Sequence, residues 1–77
     1  MRLRFFGRLR DALGAELLID VPPELSDSEQ LRAWLGQRHP ALLDPSVKVA
    51  LDDCILVAPQ PIAGVREIAF LPPVSGG

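Results

Sequence analysis

Apolar and polar residues alternate at the start of the chain. Met1, Leu3 and Phe5 fall on one side, and Arg2, Arg4 and Phe6 on the other. A period of two marks a strand, because successive side chains of extended backbone point to opposite faces. Leu17, Ile19 and Val21 repeat the pattern between Gly14 and Pro22-Pro23. Together the two runs predict a hairpin whose connection holds a helical turn. The period then changes. Ser26-Asp27-Ser28-Glu29 reads as a capping box, a hydroxyl accepting from a free N–H while the Glu reaches back, and Leu31, Trp34 and Leu35 follow at helical spacing. This predicts an amphipathic helix over 27–38, limited by Pro40 because the residue before proline avoids the helical region. Leu42 and Leu43 should cap the core from the next turn. Val47, Val49 and Leu51 alternate with Lys48 and Ala50 as a third strand, and Asp52-Asp53 turns the chain into a short fourth over 54–57. A fifth strand runs over 66–71 with Ile68 and Phe70 inward, and Pro72-Pro73 ends it because proline cannot continue a ladder. Strand, strand, helix and three strands make an α+β domain, with one main helix across one mixed sheet.

The 77 residues suffice for one core and no second one. A net charge of −2 argues against a nucleic-acid or anionic-membrane partner. No run approaches the roughly 18 apolar residues of a membrane span. The apolar part of Met1–Phe6 is too short for a signal-peptide core, so a cytoplasmic location is expected. One cysteine, Cys54, and one histidine, His39, allow neither an internal disulfide nor a four-ligand zinc site. Cys54 reads as a small apolar strand residue rather than a sulfur relay, and His39 as a side chain at a helix end. Asp52-Asp53 reads as a turn before a metal site. Arg2, Arg4, Arg8 and Arg10 read mainly as a solvated face, with steering toward an acidic partner as a secondary role. No nucleophile–base pair and no phosphate-cradling glycine loop stands in the sequence, so the chain alone is not expected to catalyse a reaction, bind a cofactor or hold a metal.

The chemistry concentrates at the end of the chain. Residues 1–71 read as the folded domain and 72–77 as an extended tail. Pro72-Pro73 stiffen its exit, whereas Gly76-Gly77 add no side-chain bulk. Extended at ~3.3–3.6 Å per residue, such a tail reaches roughly 20 Å. A terminal glycine leaves its carboxylate sterically open to activation as an acyl-adenylate, whose carbonyl can then accept sulfur.

The ending Ala69-Phe70-Leu71-Pro72-Pro73-Val74-Ser75-Gly76-Gly77 resembles the C-terminal signature of the small subunit of molybdopterin synthase, the MoaD family. Phe5-Phe6-Gly7, Leu9-Arg10-Asp11 and the central Glu29–Leu35 stretch resemble it too. The resemblance implies a ubiquitin-like β-grasp fold. It also implies that a partner enzyme uses ATP to adenylate Gly77 and a sulfur donor makes the thiocarboxylate. The tail, Gly76 and Gly77 included, would then enter the large subunit of a heterotetramer and donate sulfur to a pterin precursor of the molybdenum cofactor. Leu71 stands where many relatives carry an aromatic residue. Carriers for thiamin, cysteine or tRNA thiolation share the fold and the Gly-Gly end, as do ubiquitin-like modifiers of target lysines. Lys48 is the only lysine of this chain.

In a β-grasp sheet the first and last strands are parallel neighbours. With Leu3, Phe5, Ile68 and Phe70 facing the helix, Arg4, Phe6, Glu67, Ala69 and Leu71 face away. Phe6 should then lie near Leu71, and Arg2 or Arg4 near Glu67. An uncovered apolar patch of Phe6, Ala69 and Leu71 below the tail is a docking surface in the making. It is expected to meet the large subunit and the adenylating enzyme, joined by Pro72, Pro73, Val74 and Ser75 of the tail.

Overall fold

The computed structural model describes residues 1–72. The alternating runs form β1 (Arg2–Phe5), β2 (Glu16–Leu18), β3 (Lys48–Leu51), β4 (Cys54–Ile55) and β5 (Glu67–Leu71). Between them lie α1 (Arg8–Leu13), α2 (Ser28–Gly36) and a 3-10 turn over Pro40–Leu43. The strands make one sheet in the order β2-β1-β5-β3-β4. The β1–β5 pair is parallel, with Leu3 opposite Ile68 and Phe5 opposite Phe70. The other pairs are antiparallel. A mixed sheet with its first and last strands side by side, crossed by one main helix, is the ubiquitin-like β-grasp fold.

The predicted inner face is the core. Leu3, Leu31, Leu42, Ile68 and Phe70 are inaccessible to solvent, and Phe5 nearly so. The Phe5 and Phe70 rings lie 5.8 Å apart and 16° from parallel, a stacked pair across the two central strands. Each such side chain contributes roughly 1.5–3 kcal/mol by leaving water. Arg32 ties α2 to the following segment: its guanidinium donates to the backbone carbonyls of Leu42, at 2.6 Å, and Asp44, at 2.5 Å.

Asp52 and Asp53 have φ of 43° and 72°. Positive φ at both central residues is the two-residue hairpin turn whose twist matches the strands it joins, and Asp tolerates it better than most residues. The Asp52 carboxylate also accepts from the amides of Arg66, at 3.2 Å, and Glu67, at 3.0 Å. The β3–β4 turn is thereby fastened to the start of β5.

Six local expectations are corrected. The cap of α2 is Asp27 and not Ser26: Asp27 Oδ1 accepts from the Gln30 amide at 2.8 Å. Gln30, not Glu29, reaches back, accepting from the Ser26 amide at 2.8 Å. The helix ends at Gly36 rather than Arg38, because the Gln37 and Arg38 amides bond three residues back instead of four. The second strand stops at Leu18, although Ile19 still exchanges bonds with Met1. Leu43 is half exposed and covers Gly36, where a Cβ would collide with it, while Leu42 alone enters the core. The fourth strand shrinks to Cys54–Ile55, leaving Cys54 exposed at the sheet edge and Val57 fully exposed. No helix among the described residues is long and apolar enough to cross a membrane.

Candidate functional site

Strand register sets the outward face. Arg2 pairs with Glu67 and Arg4 with Ala69, so the side chains of both pairs share the side away from α2. The Phe6 amide donates to the Phe70 carbonyl at 3.2 Å, which carries the parallel ladder one residue past β1. Phe6 therefore stands beside Leu71, as the alternation predicts. Phe6, Ala69 and Leu71 are each half-buried. The Arg4 guanidinium lies 5.1 Å from the Phe6 ring centroid. Glu67 draws in both arginines, 3.6 Å from Arg2 and 3.8 Å from Arg4. The result is an apolar strip with an ion-paired border.

Part of this face escaped the reading of the sequence. Lys48 pairs with Leu71, Ala50 with Ala69, and Ile55 with Ala50, so exposed Lys48 and Ile55 border the strip across β3 and β4, with Ala50 buried between them. Ile55 is 64% exposed, which makes it the most open aliphatic on this face beyond β5. The signal was present: Lys48 and Ala50 are the positions that alternate with the inward Val47, Val49 and Leu51. What was missing is the neighbour relation of β3 to β5.

The chain leaves the sheet at Pro72. A Cβ on Gly7 would come within 2.6 Å of Pro72 Cγ, so the absence of a side chain there lets the exit lie close against the segment after β1. Gly7 has φ of 58°, a conformation open to glycine at little cost. A cleft of about 280 Å³, lined by Arg8, Leu9, Ala41, Asp44 and Pro72, opens beside this exit. The Asp44 carboxyl is held below its ordinary pKa, first by the Ser46 amide and then by the Ser46 hydroxyl, at 2.9 and 2.7 Å. Pro73, Val74, Ser75, Gly76 and Gly77, and with them the extended tail, lie outside the described residues. His39 sits beside Trp34 at the end of α2, away from this face. No three His, Cys, Asp or Glu side chains gather to hold a metal ion among the described residues.

A small β-grasp domain with a half-buried apolar strip beside its last strand has the architecture of the ubiquitin-like proteins. The family description that matches is the ThiS family, over residues 3–77. The chain belongs to this family, that of ThiS- and MoaD-like ubiquitin-like sulfur carriers. No curated protein matches it.

Proposed function

We propose that this sulfur carrier is the small subunit of molybdopterin synthase. The observation that carries the reading is the ending Pro72-Pro73-Val74-Ser75-Gly76-Gly77 directly after β5. The Gly77 carboxylate attacks the α-phosphate of ATP on an adenylating partner, and pyrophosphate leaves. Hydrosulfide released by a sulfur donor then attacks the activated carbonyl, AMP leaves, and a thiocarboxylate remains on Gly77. Gly76 and Gly77 carry no side chain, so the reacting carbonyl can pass through a narrow channel and be approached from either face. Val74 and Ser75 line the tail that enters the large subunit, where the thiocarboxylate gives its sulfur to a pterin precursor. The chain supplies reach and presentation, and the partners supply the catalytic groups and the ATP site. A loading step that uses ATP and a sulfur donor assigns the complex to the cytoplasm.

The strip of Phe6, Ala69 and Leu71 supports this reading because it borders Pro72. A partner seated on it has the tail at its own surface, and successive partners can use the same strip in turn. Two large subunits would complete a heterotetramer with two copies of this chain.

Intact mass spectrometry tests the proposal. The protein is incubated with the adenylating enzyme of the molybdopterin pathway, ATP and a sulfur donor. The expected shift is one carboxylate oxygen replaced by sulfur, absent when Gly77 is deleted. Addition of the large subunit and the pterin precursor should then return the mass to its starting value. A loaded protein that transfers nothing to that large subunit belongs to another thiolation pathway. An isopeptide bond to a target lysine would make it a modifier. An unchanged mass with a demonstrably active enzyme overturns the assignment.

A further inference from the structure

The strip beside the tail occupies the outward side of the central strands. A second open surface lies at the far edge of the sheet, on the helix side. β2 is the edge strand. Its bonds to β1 fall on alternate residues: Ile19 exchanges with Met1, Ala15 accepts from Phe5, and Leu17 lies opposite Leu3. In an antiparallel ladder the intervening residues turn their N–H and C=O groups the other way. Glu16 and Leu18 therefore direct two donors and two acceptors out of the sheet. Edge strands are usually blunted by lysine, proline or a covering element. β2 is short and carries the charged Glu16, but no lysine or proline stands within it, and its Leu17 and Leu18 are 36% and 77% exposed.

A cleft of about 190 Å³ runs along the helix side of this edge. Leu17, Ile19, Trp34 and Leu35 form its apolar part, and Arg38 and His39 stand at its rim. It is smaller than the roughly 300–1,000 Å³ of small-molecule sites, but suits the alternate side chains of a strand added to β2. No carboxylate lines it, although the chain as a whole carries a charge of −2. Arg38 makes no ion pair among the described residues.

We propose that β2 and this cleft bind an extended aliphatic segment of a partner protein that carries an acidic flank. The segment pairs with the outward groups of Glu16 and Leu18, sets alternate aliphatic side chains between Leu17 and Trp34, and places its carboxylates against Arg38. A second copy of this chain fits less well. Pairing two three-residue strands buries far less than the roughly 1,200 Å² of a stable interface and brings two Arg38 rims to one seam. The surface is independent of the pathway assignment, because the Phe6 strip lies on the opposite face of the sheet.

The experiment is a ¹H–¹⁵N titration of the full chain with a synthetic peptide of alternating Val and Ile followed by Asp residues, and with its Lys counterpart. Saturable shifts confined to Glu16–Ile19 and Trp34–His39 are expected, with slowed solvent exchange of the Glu16 and Leu18 amides. Arg38→Glu should weaken the Asp peptide by about tenfold and favour the Lys peptide. Leu18→Pro removes one outward donor without touching the inward ladder, and should abolish binding. If that variant fails to fold, the Arg38 charge reversal decides alone. Equal affinity for the two peptides, shifts centred on Phe6 and Leu71, or no saturation by about 1 mM peptide overturns the proposal. So does a free protein that sediments as a dimer with the Glu16 and Leu18 amides already protected.

Discussion

Replacing Phe6 by aspartate separates a docking residue from a core residue. Phe6 is mostly but not fully buried, so loss of the ring forfeits most of the ~1.5–3 kcal/mol of full burial, or about 1–2 kcal/mol. The contact with Arg4, whose side chain is 43% exposed, contributes about 0.5–1 kcal/mol more. An aspartate beside Arg4 regains up to about 0.5 kcal/mol as an exposed ion pair. The net cost is about 1–3 kcal/mol, which for a domain of this size lowers the melting temperature by roughly 5–20 °C. Phe5, only 2% exposed, sets the contrast: Phe5→Ala should cost about 3–5 kcal/mol. Differential scanning calorimetry measures the stability of Phe6→Asp, and isothermal titration to the large subunit measures its docking. The expected outcome is a folded protein with a modest drop in melting temperature that no longer binds. A drop as large as that of Phe5→Ala would show that Phe6 is core. Undiminished affinity in the folded variant would show that partners do not use this strip.

Three further outcomes follow from the same geometry. Asp27→Ala removes the cap of α2 and should cost about 1 kcal/mol in urea unfolding, whereas Ser26→Ala, the residue one place before, should cost less. The Asp44 carboxyl binds its proton less readily when folded, so its contribution is present above the ordinary value of 3.8 and fades as pH falls through the lower folded value. Asp44→Ala should flatten that acid limb in a series of thermal melts, and an unchanged limb would refute the assignment to Ser46. Cys54 is exposed at the edge of the sheet, so a maleimide should label the native protein readily. Cys54→Ala should leave sulfur transfer by the tail intact, and a folded variant that cannot transfer would make Cys54 a relay.

Where local rules suffice, the sequence was legible. Period-two alternation placed Leu3, Phe5, Ile68 and Phe70 on one face because pleated backbone leaves no other choice. The same alternation put Phe6, Ala69 and Leu71 opposite them, and the Asp52-Asp53 hairpin and the stop at Pro72 followed from turn and proline chemistry. The capping register was not legible. Ser26 and Asp27 both carry a suitable acceptor, and the choice falls to the loop alongside: the Ser26 carbonyl accepts from the Ile62 amide and the Ser28 amide donates to Gln60. Those bonds hold Ser26 outside the helix and leave Asp27 to cap it.

The extent of the functional face was likewise a matter of partners distant in sequence. Lys48 and Ile55 border the strip only because β3 lies against β5, and nothing near them in the chain announces that neighbour. The cleft beside β2 arises where Trp34 of α2 comes to stand over Leu17. The residues by themselves thus determined which side chains are apolar, which way each turns along its strand, and that a Gly-Gly end follows the last strand. The tertiary structure decided which strands are edges, which outward residues adjoin, and which grooves stay open. Alternation and caps are set by contacts within a few residues, whereas strand order is set by burying all the apolar faces at once.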